Sequence, residues 1–111
     1  MKTGDYVRTK KFGIIRIKKI IKHDEKLELH DNKYHYYIYD INDIEGYSKN
    51  IVDLIKKGDY VNGSKVIDTN NYAENPINYF VNTREKTYYT SDIKTILTKE
   101  QFELNQHKVG D

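Results

Sequence analysis

Hydrophobic and polar residues alternate over short stretches of this chain, which is the pattern of half-buried β-strands. Residues 14–21 are rich in isoleucine, and residues 34–41 place Tyr37, Tyr39 and Ile41 on one side and Tyr36 and Ile38 on the other. The isoleucine parity breaks after Ile17, so we predict a strand over 14–21 with a β-bulge at Lys18-Lys19. An amphipathic helix over the same residues is the alternative, since periodicity does not separate the two.

Turn signals divide the remaining sequence into hairpins. Asn62-Gly63 lies between two short β patterns, and both residues tolerate the positive φ of a type I′ turn, so we predict a hairpin over 60–67. Residues 70–76 are predicted as a loop, and 78–82 with 87–90 as the arms of another hairpin. The polar stretch 23–32 is interpreted as a long hairpin loop or a frayed ribbon.

One helix is predicted, near the end of the sequence. Thr98 can accept the backbone N–H of Gln101, and the Gln101 side chain can reach back, as in a capping box. We therefore predict a short helix over 99–107 that lays Phe102 onto a sheet, because so short a helix needs docking. The fold class is mainly β with a short C-terminal helix.

The sequence repeats itself in two places. Gly-Asp-Tyr-Val occurs at 4–7 and at 58–61, each after a nearby lysine, and segment 48–55 matches segment 90–97 in pattern. Internal repeats of this kind indicate two related structural units. We predict a first lobe over 1–55, a second lobe over 56–98 and a C-terminal helix and tail over 99–111, with one merged β domain as the alternative.

Both units resemble a known class of small barrels. Lys-x-Gly-Asp-Tyr-Val from Lys2, then a turn and Gly-Ile-Ile-Arg-Ile from Gly13, looks like the opening of SH3-like barrels of the KOW type, and residues 90–96 look like their closing turn and last strand. The resemblance implies two tandem SH3-like barrels. It covers most of both units, although the second unit has Asn62-Gly63 in place of the first loop and no glycine before Val66.

The whole chain also resembles the uncharacterised small proteins of phages and prophages in low-GC Gram-positive bacteria. Residues 48–63 carry this resemblance, together with residues 98–102. It implies a non-enzymatic accessory protein in the cytoplasm of the bacterial host. Such a protein would act by stoichiometric contact with a host protein or a protein–nucleic-acid complex, as an inhibitor of host defence of the anti-CRISPR type.

Charge is balanced overall but not along the chain. There are 19 Lys and Arg against 17 Asp and Glu, yet residues 1–22 hold eight basic groups and one acid, whereas residues 23–48 hold seven acids and two basic groups. A basic surface could bind a nucleic-acid backbone, and this is the alternative function; a merely solvated lysine-rich face is the other interpretation. The predicted basic face consists of Arg8, Lys10, Lys11, Arg16, Lys18 and Lys19.

Tyrosine is the prominent aromatic residue, with 11 copies and no Trp. Tyr combines a large contact area with a polar tip, which suits interfaces, although some of these rings must also fill the core. The residues predicted to bind a partner through aromatic contacts are Tyr34, Tyr36, Tyr37, Tyr39, Tyr88 and Tyr89.

Other chemistries receive little support from the sequence. The absence of Cys excludes disulfides, thiolate zinc sites and Cys nucleophiles. His23, His30 and His35 lie near several acids, but their spacing matches no recurring zinc motif, so we expect no metal. The sequence has no Gly-rich phosphate loop, no H-E-x-x-H motif and no nucleophile elbow, so we expect no cofactor and no catalytic residue. No apolar run is long enough to span a bilayer. We expect no membrane partner, and either a monomer or a homodimer.

Overall fold

A computed structural model describes residues 1–70 and 80–106 of the chain. The fold is mainly β with one short C-terminal helix, as the sequence predicts. The chain divides into two compact units, Met1–Leu54 and Ile55–Asp111. The strands of the first unit are β1 (Tyr6–Thr9), β2 (Gly13–Arg16), β3 (Lys19–Lys22), β4 (Leu27–His30), β5 (His35–Ile38) and β6 (Ile44–Ser48).

The first unit is built from two antiparallel three-stranded sheets. Their strand orders are β2-β1-β6 and β3-β4-β5. Apolar side chains from both sheets meet in one core, since Val7 and Ile17 pack with Leu29 and Ile38, all four essentially buried. Only one side of the β3-β4-β5 sheet therefore packs against the core.

The long isoleucine-rich strand predicted over 14–21 is divided into two. β2 ends at Arg16 and β3 begins at Lys19, and between them Ile17 is fully buried while Lys18 donates its backbone N–H to His30 O at 2.7 Å. The break falls beside the predicted bulge and moves the chain from one sheet into the other. The residues are extended, so the helical alternative does not apply.

The structure decides one open alternative and shortens one predicted strand. Of the two interpretations of the polar stretch 23–32, the ribbon applies, because Leu27–His30 forms β4. The strand predicted over 34–41 ends at Ile38, because Asp40 accepts the backbone N–H of Asn42 and caps a 3-10 turn at Ile41–Asp43.

The second unit carries a five-stranded antiparallel sheet in the order β10-β9-β8-β7-β11. The elements are β7 (Tyr60–Val61), β8 (Ser64–Asn70), β9 (Phe80–Thr83), β10 (Thr87–Tyr89), β11 (Ile96–Leu97) and helix α1 (Lys99–Asn105). The loop predicted over 70–76 falls almost entirely outside the described residues, as do residues 78–79 of the predicted hairpin and residue 107 of the predicted helix.

The predicted hairpin turn and helix cap are both present. Asn62 and Gly63 have φ of 51° and 82°, as a type I′ turn requires. Thr98 Oγ1 accepts the backbone N–H of Gln101 at 3.2 Å, and the Phe102 ring lies on Tyr60 with 4.8 Å between centroids. These contacts dock α1 onto the sheet of its own unit.

No helix among residues 1–70 and 80–106 is both long enough and apolar enough to cross a membrane.

The repeated Gly-Asp sequence forms the same turn in both units. Asp5 Oδ2 accepts the backbone N–H of Lys2 at 2.9 Å, and Asp59 Oδ2 accepts that of Lys56 at 2.8 Å. Each aspartate is buried, and each preceding glycine has positive φ, 94° at Gly4 and 98° at Gly58. Since an L side chain is strained at such φ, glycine is the residue that admits this turn.

The strand that closes each unit corrects the predicted alignment of the repeats. β6 and β11 each pair with the strand that follows the Gly-Asp turn, and a 3-10 turn precedes each, at Ile41–Asp43 and Thr90–Asp92. Segment 90–97 therefore corresponds to 41–48 and not to 48–55. The latter contains a separate 3-10 turn at Ile51–Leu54, which contacts β1 and β6.

We predict that removing the turn carboxylates destabilises the protein. Asp5→Ala should lower the free energy of unfolding by about 2 kcal/mol, because a hydrogen bond to a charged acceptor is lost from a buried position. Asp59→Ala should cost about 3 kcal/mol or more, since Asp59 Oδ1 also accepts the N–H of Lys99 at 2.9 Å at the start of α1. Urea unfolding monitored by circular dichroism measures both, with the exposed Asp24→Ala as control. Losses equal to that of Asp24→Ala would contradict the structural role.

Candidate functional site

The β3-β4-β5 sheet has one side in the core and one side away from it. Its register places Ile20, Leu29 and Tyr36 together on the core side. The opposite side, which we call the outer face, consists of Lys19, Ile21, Glu28, His30, His35 and Tyr37. Since side chains alternate along a strand, these residues from three strands become neighbours only when the sheet forms.

A carboxylate surrounded by three imidazoles lies on the outer face. Glu28 Oε1 is 3.4 Å from His30 Nε2 and 3.8 Å from His35 Nδ1, and Glu28 Oε2 is 3.4 Å from His23 Nε2. The Glu28 side chain is only 11% exposed, whereas His35 is 57% exposed. The His30 and His35 rings stack with 3.8 Å between centroids and 20° between planes.

The surroundings of Glu28 favour its ionised form. A hydrogen bond from the Tyr37 hydroxyl lowers the pKa of Glu28, and the His23 and His30 side chains act in the same direction against the effect of burial. The same hydrogen bond raises the pKa of Tyr37, because the neutral phenol is the donor. The cluster therefore presents a carboxylate next to nitrogen ligands.

An exposed aromatic pair adjoins this cluster. Tyr37 and Tyr39 are 39% and 71% exposed, and Lys26 Nζ lies 4.5 Å and 5.8 Å from their ring centroids. Tyr39 also lines an open groove. Its apolar lining is Met1, Leu27, Ile38 and Ile41, and its polar lining is Lys22, His23, Glu25, Lys26 and Asp40.

The six tyrosines predicted to bind a partner do not form one surface. Tyr36 packs on Phe12 at the edge of the core with its hydroxyl donated to Asp31 at 3.0 Å, and Tyr88 is 8% exposed beneath Lys86. Strand alternation turns both rings inward, so the prediction that Tyr36 and Tyr88 bind a partner is wrong.

Four of the predicted tyrosines remain exposed. Tyr39 lines the groove, and Tyr37 shares the Lys26 ammonium with Tyr39. Tyr34 packs edge-on against Tyr36 and is 62% exposed. Tyr89, in the second unit, is 49% exposed and packs edge-on against Phe80.

Arg8 does not belong to the predicted basic face. Its side chain is completely buried, with Nη1 donating to Leu54 O at 2.8 Å and Nε 3.8 Å from Glu45 Oε1. β1 directs this residue toward the 51–54 turn, so its charge stabilises the unit and is not available to a partner. The other predicted basic residues are exposed: Lys10, Lys11, Arg16, Lys18 and Lys19.

Sequence reasoning considered His23, His30 and His35 with the nearby acids but set them aside as a metal site, and it did not single out Lys26. Leu27-Glu28-Leu29-His30 alternates strictly, which identifies β4 and favours the ribbon over the long loop, the two alternatives for 23–32. Once β4 is a strand, Glu28 and His30 share a side. The pairing of His30 with His35 then follows from the short turn at 31–34.

In comparisons with known proteins, no family model, no curated protein and no solved structure matches this chain.

The inward position of Tyr36 leads to a prediction about its ionisation. Burial and the hydrogen bond to Asp31 raise the pKa of Tyr36 from 10.0 to about 12. Its contribution to stability is therefore fully present below about pH 10 and is lost as the pH rises toward 12, because the unfolded state ionises first. An ultraviolet titration of tyrosinate should show that Tyr36→Phe removes a step near pH 12. In urea, the titration step that Tyr36→Phe removes should lie near pH 10. If that step already lies near pH 10 in the folded protein, the inward position of Tyr36 is contradicted.

Proposed function

We propose that this chain is a non-enzymatic binding protein that contacts a partner protein through the β3-β4-β5 sheet of its first unit. The contact surface, which we call the aromatic surface, consists of Lys26, Tyr37, Tyr39 and the apolar groove beside them. The observation that carries the proposal is the pair of exposed tyrosine rings with one lysine ammonium next to both.

The energetics of interfaces favour this surface over the others. Tyrosine is enriched among the residues that dominate binding energy, because a rigid ring covers much area at a low cost in conformational entropy. The groove adds apolar side chains next to Tyr39, among them Ile41, which is 70% exposed. Lysine and acidic residues at the sides of the groove provide the polar rim that accompanies an apolar centre in many interfaces.

The partner we propose is a component of host defence, inhibited by stoichiometric contact in the manner of an anti-CRISPR protein. The resemblance of residues 48–63 to small phage and prophage proteins supports this partner class. The strand order of each unit, with a 3-10 turn before the closing strand, supports the proposed SH3-like barrels. Small barrels of that kind serve many unrelated functions, so the partner class rests on the sequence resemblance and the mode of contact on the surface.

We predict that Tyr37→Ala and Tyr39→Ala each weaken partner binding by about tenfold or more, since each removes a ring from the centre of the contact. The partner is first captured from a low-GC Gram-positive host and purified, and dissociation constants are then measured by calorimetry. Tyr47→Ala is the matched control, because Tyr47 is 57% exposed on β6 of the same unit and lies outside the proposed contact.

Two results would contradict this function. The first is wild-type affinity in both variants, or an equal loss in Tyr47→Ala. The second concerns mechanism: activity of the purified partner should fall to its minimum at about one equivalent of this chain, whereas complete inactivation by a small fraction of an equivalent would indicate an enzyme.

The second candidate function is nucleic-acid binding through the basic residues of the first unit. Five of the six predicted residues are exposed, and two of them lie near aromatic rings: Lys11 Nζ is 5.4 Å from the Phe12 centroid, and the Arg16 guanidinium is 5.7 Å from that of Tyr6. Cations beside aromatic rings can combine backbone contacts with base stacking.

For this candidate we predict an electrophoretic shift of a single-stranded oligonucleotide at low salt. Combined Lys10, Lys11, Lys18 and Lys19→Glu should abolish the shift, and affinity should fall steeply with added salt because counterions are released on binding. A matched control with the same change of charge replaces the exposed Lys49, Lys57, Lys86 and Lys94 by Glu. No shift at low salt, or an equal loss in the control, would exclude this function.

A further inference from the structure

We propose that Glu28, His30 and His35 form a binding site for Zn²⁺ on the outer face of the β3-β4-β5 sheet. This inference is independent of the proposed binding function, because it rests on the geometry of the cluster alone. Imidazole nitrogen and carboxylate oxygen are both established zinc ligands.

The pairing of β4 with β5 brings the three proposed ligands together. Glu28 and His30 are two residues apart on β4, so they share a side, and His35 lies directly opposite His30 on β5. Directly opposite residues have Cβ atoms about 4.5–5.5 Å apart. Three ligands of two chemical types, one carboxylate and two imidazoles, therefore converge although their spacing in sequence resembles no recurring zinc motif.

The distances between the ligand atoms are close to those of a tetrahedral site. One ligand atom from each of the three residues lies within 4.8 Å of the other two. Glu28 Oε1 is 3.4 Å from His30 Nε2 and 3.8 Å from His35 Nδ1. Zinc bonds of about 2.0–2.2 Å in tetrahedral geometry correspond to ligand separations of about 3.4 Å. The Glu28–His30 pair already has this separation. The His35 ring, which is stacked on His30 with 20° between the ring planes, must turn out of the stack to direct its nitrogen at the ion, and its 57% exposure leaves room for this movement.

An unsatisfied nitrogen supports a ligand at this position. Among the described residues, His30 Nε2 is buried and has no hydrogen-bond partner, although Glu28 Oε1 is near. Buried polar atoms in proteins are nearly always paired, and an unpaired one calls for a specific explanation. A cation between His30 and Glu28 would give the His30 nitrogen a partner.

The second oxygen of Glu28 faces His23, which lies outside the proposed ligand set. His23 Nε2 lies 3.4 Å from Glu28 Oε2. Such outer contacts orient a ligand and raise metal affinity. His23 is thus a positioning residue. Three protein ligands leave a fourth position for water or for a donor atom of a bound molecule.

The experiment titrates the metal-free full-length chain with Zn²⁺ alone by calorimetry at pH 7.5. We expect one ion per chain at a dissociation constant of micromolar or lower. His35→Gln, an exposed change that spares the core, and the isosteric Glu28→Gln should each abolish this binding. His23→Gln should weaken it about 10–100-fold, as expected for a residue that orients a ligand.

Controls distinguish a built site from general affinity of histidine for metal. His107→Gln replaces the remaining histidine of the chain, and Glu25→Gln replaces an exposed acid in the same hairpin; neither should change the affinity. Side-chain NMR signals of His30 and His35 should shift with Zn²⁺ in step with the heat. Absence of micromolar binding, or equal affinity in wild type and His35→Gln, would overturn the proposal.

Discussion

The buried aspartate of the Gly-Asp turn is the constraint on which each unit depends. Its carboxylate accepts a backbone N–H from the lysine three residues earlier, while its backbone carbonyl accepts Ile17 N in the first unit and Val66 N in the second. The preceding glycines, Gly4 and Gly58, donate their backbone N–H groups to the carbonyls of Ile17 and Val66, respectively. This short motif therefore joins the start of the first strand to Ile17 in the first unit, where the chain leaves the first sheet, and to Val66 on β8 in the second unit.

The bend has a direct consequence for the outer face. Because the chain leaves the first sheet at Ile17 and Lys18, β3 starts a second sheet whose core side is filled by Leu29 and Ile38. Alternation then requires Glu28 and His30 to lie on the opposite side. The strand register that forms the core therefore also places the histidines around Glu28 on the outer face. Tyr37 of the aromatic surface lies on the same face of the sheet.

Local signals predicted much of the fold, whereas the candidate site depends on pairings that no local signal contains. Asn62-Gly63 and the Thr98 cap act within a few residues, so their geometry could be derived from residue chemistry. The burial of Arg8 depends on Leu54, which is 46 residues away. Likewise, only the β4-β5 register brings His35 to Glu28. Sequence alternation identified which tyrosines share a side, but not which side faces the core.

We propose that a partner protein contacts the aromatic surface of the first unit. Hydroxyl-radical footprinting of the chain, free and in complex with a captured and purified partner, measures this contact directly because tyrosine rings are modified in proportion to their exposure. We expect Tyr37 and Tyr39 to become protected in the complex while Tyr47 retains its reactivity. Unchanged labelling of Tyr37 and Tyr39 together with protection of Tyr47 or Tyr89 would contradict it.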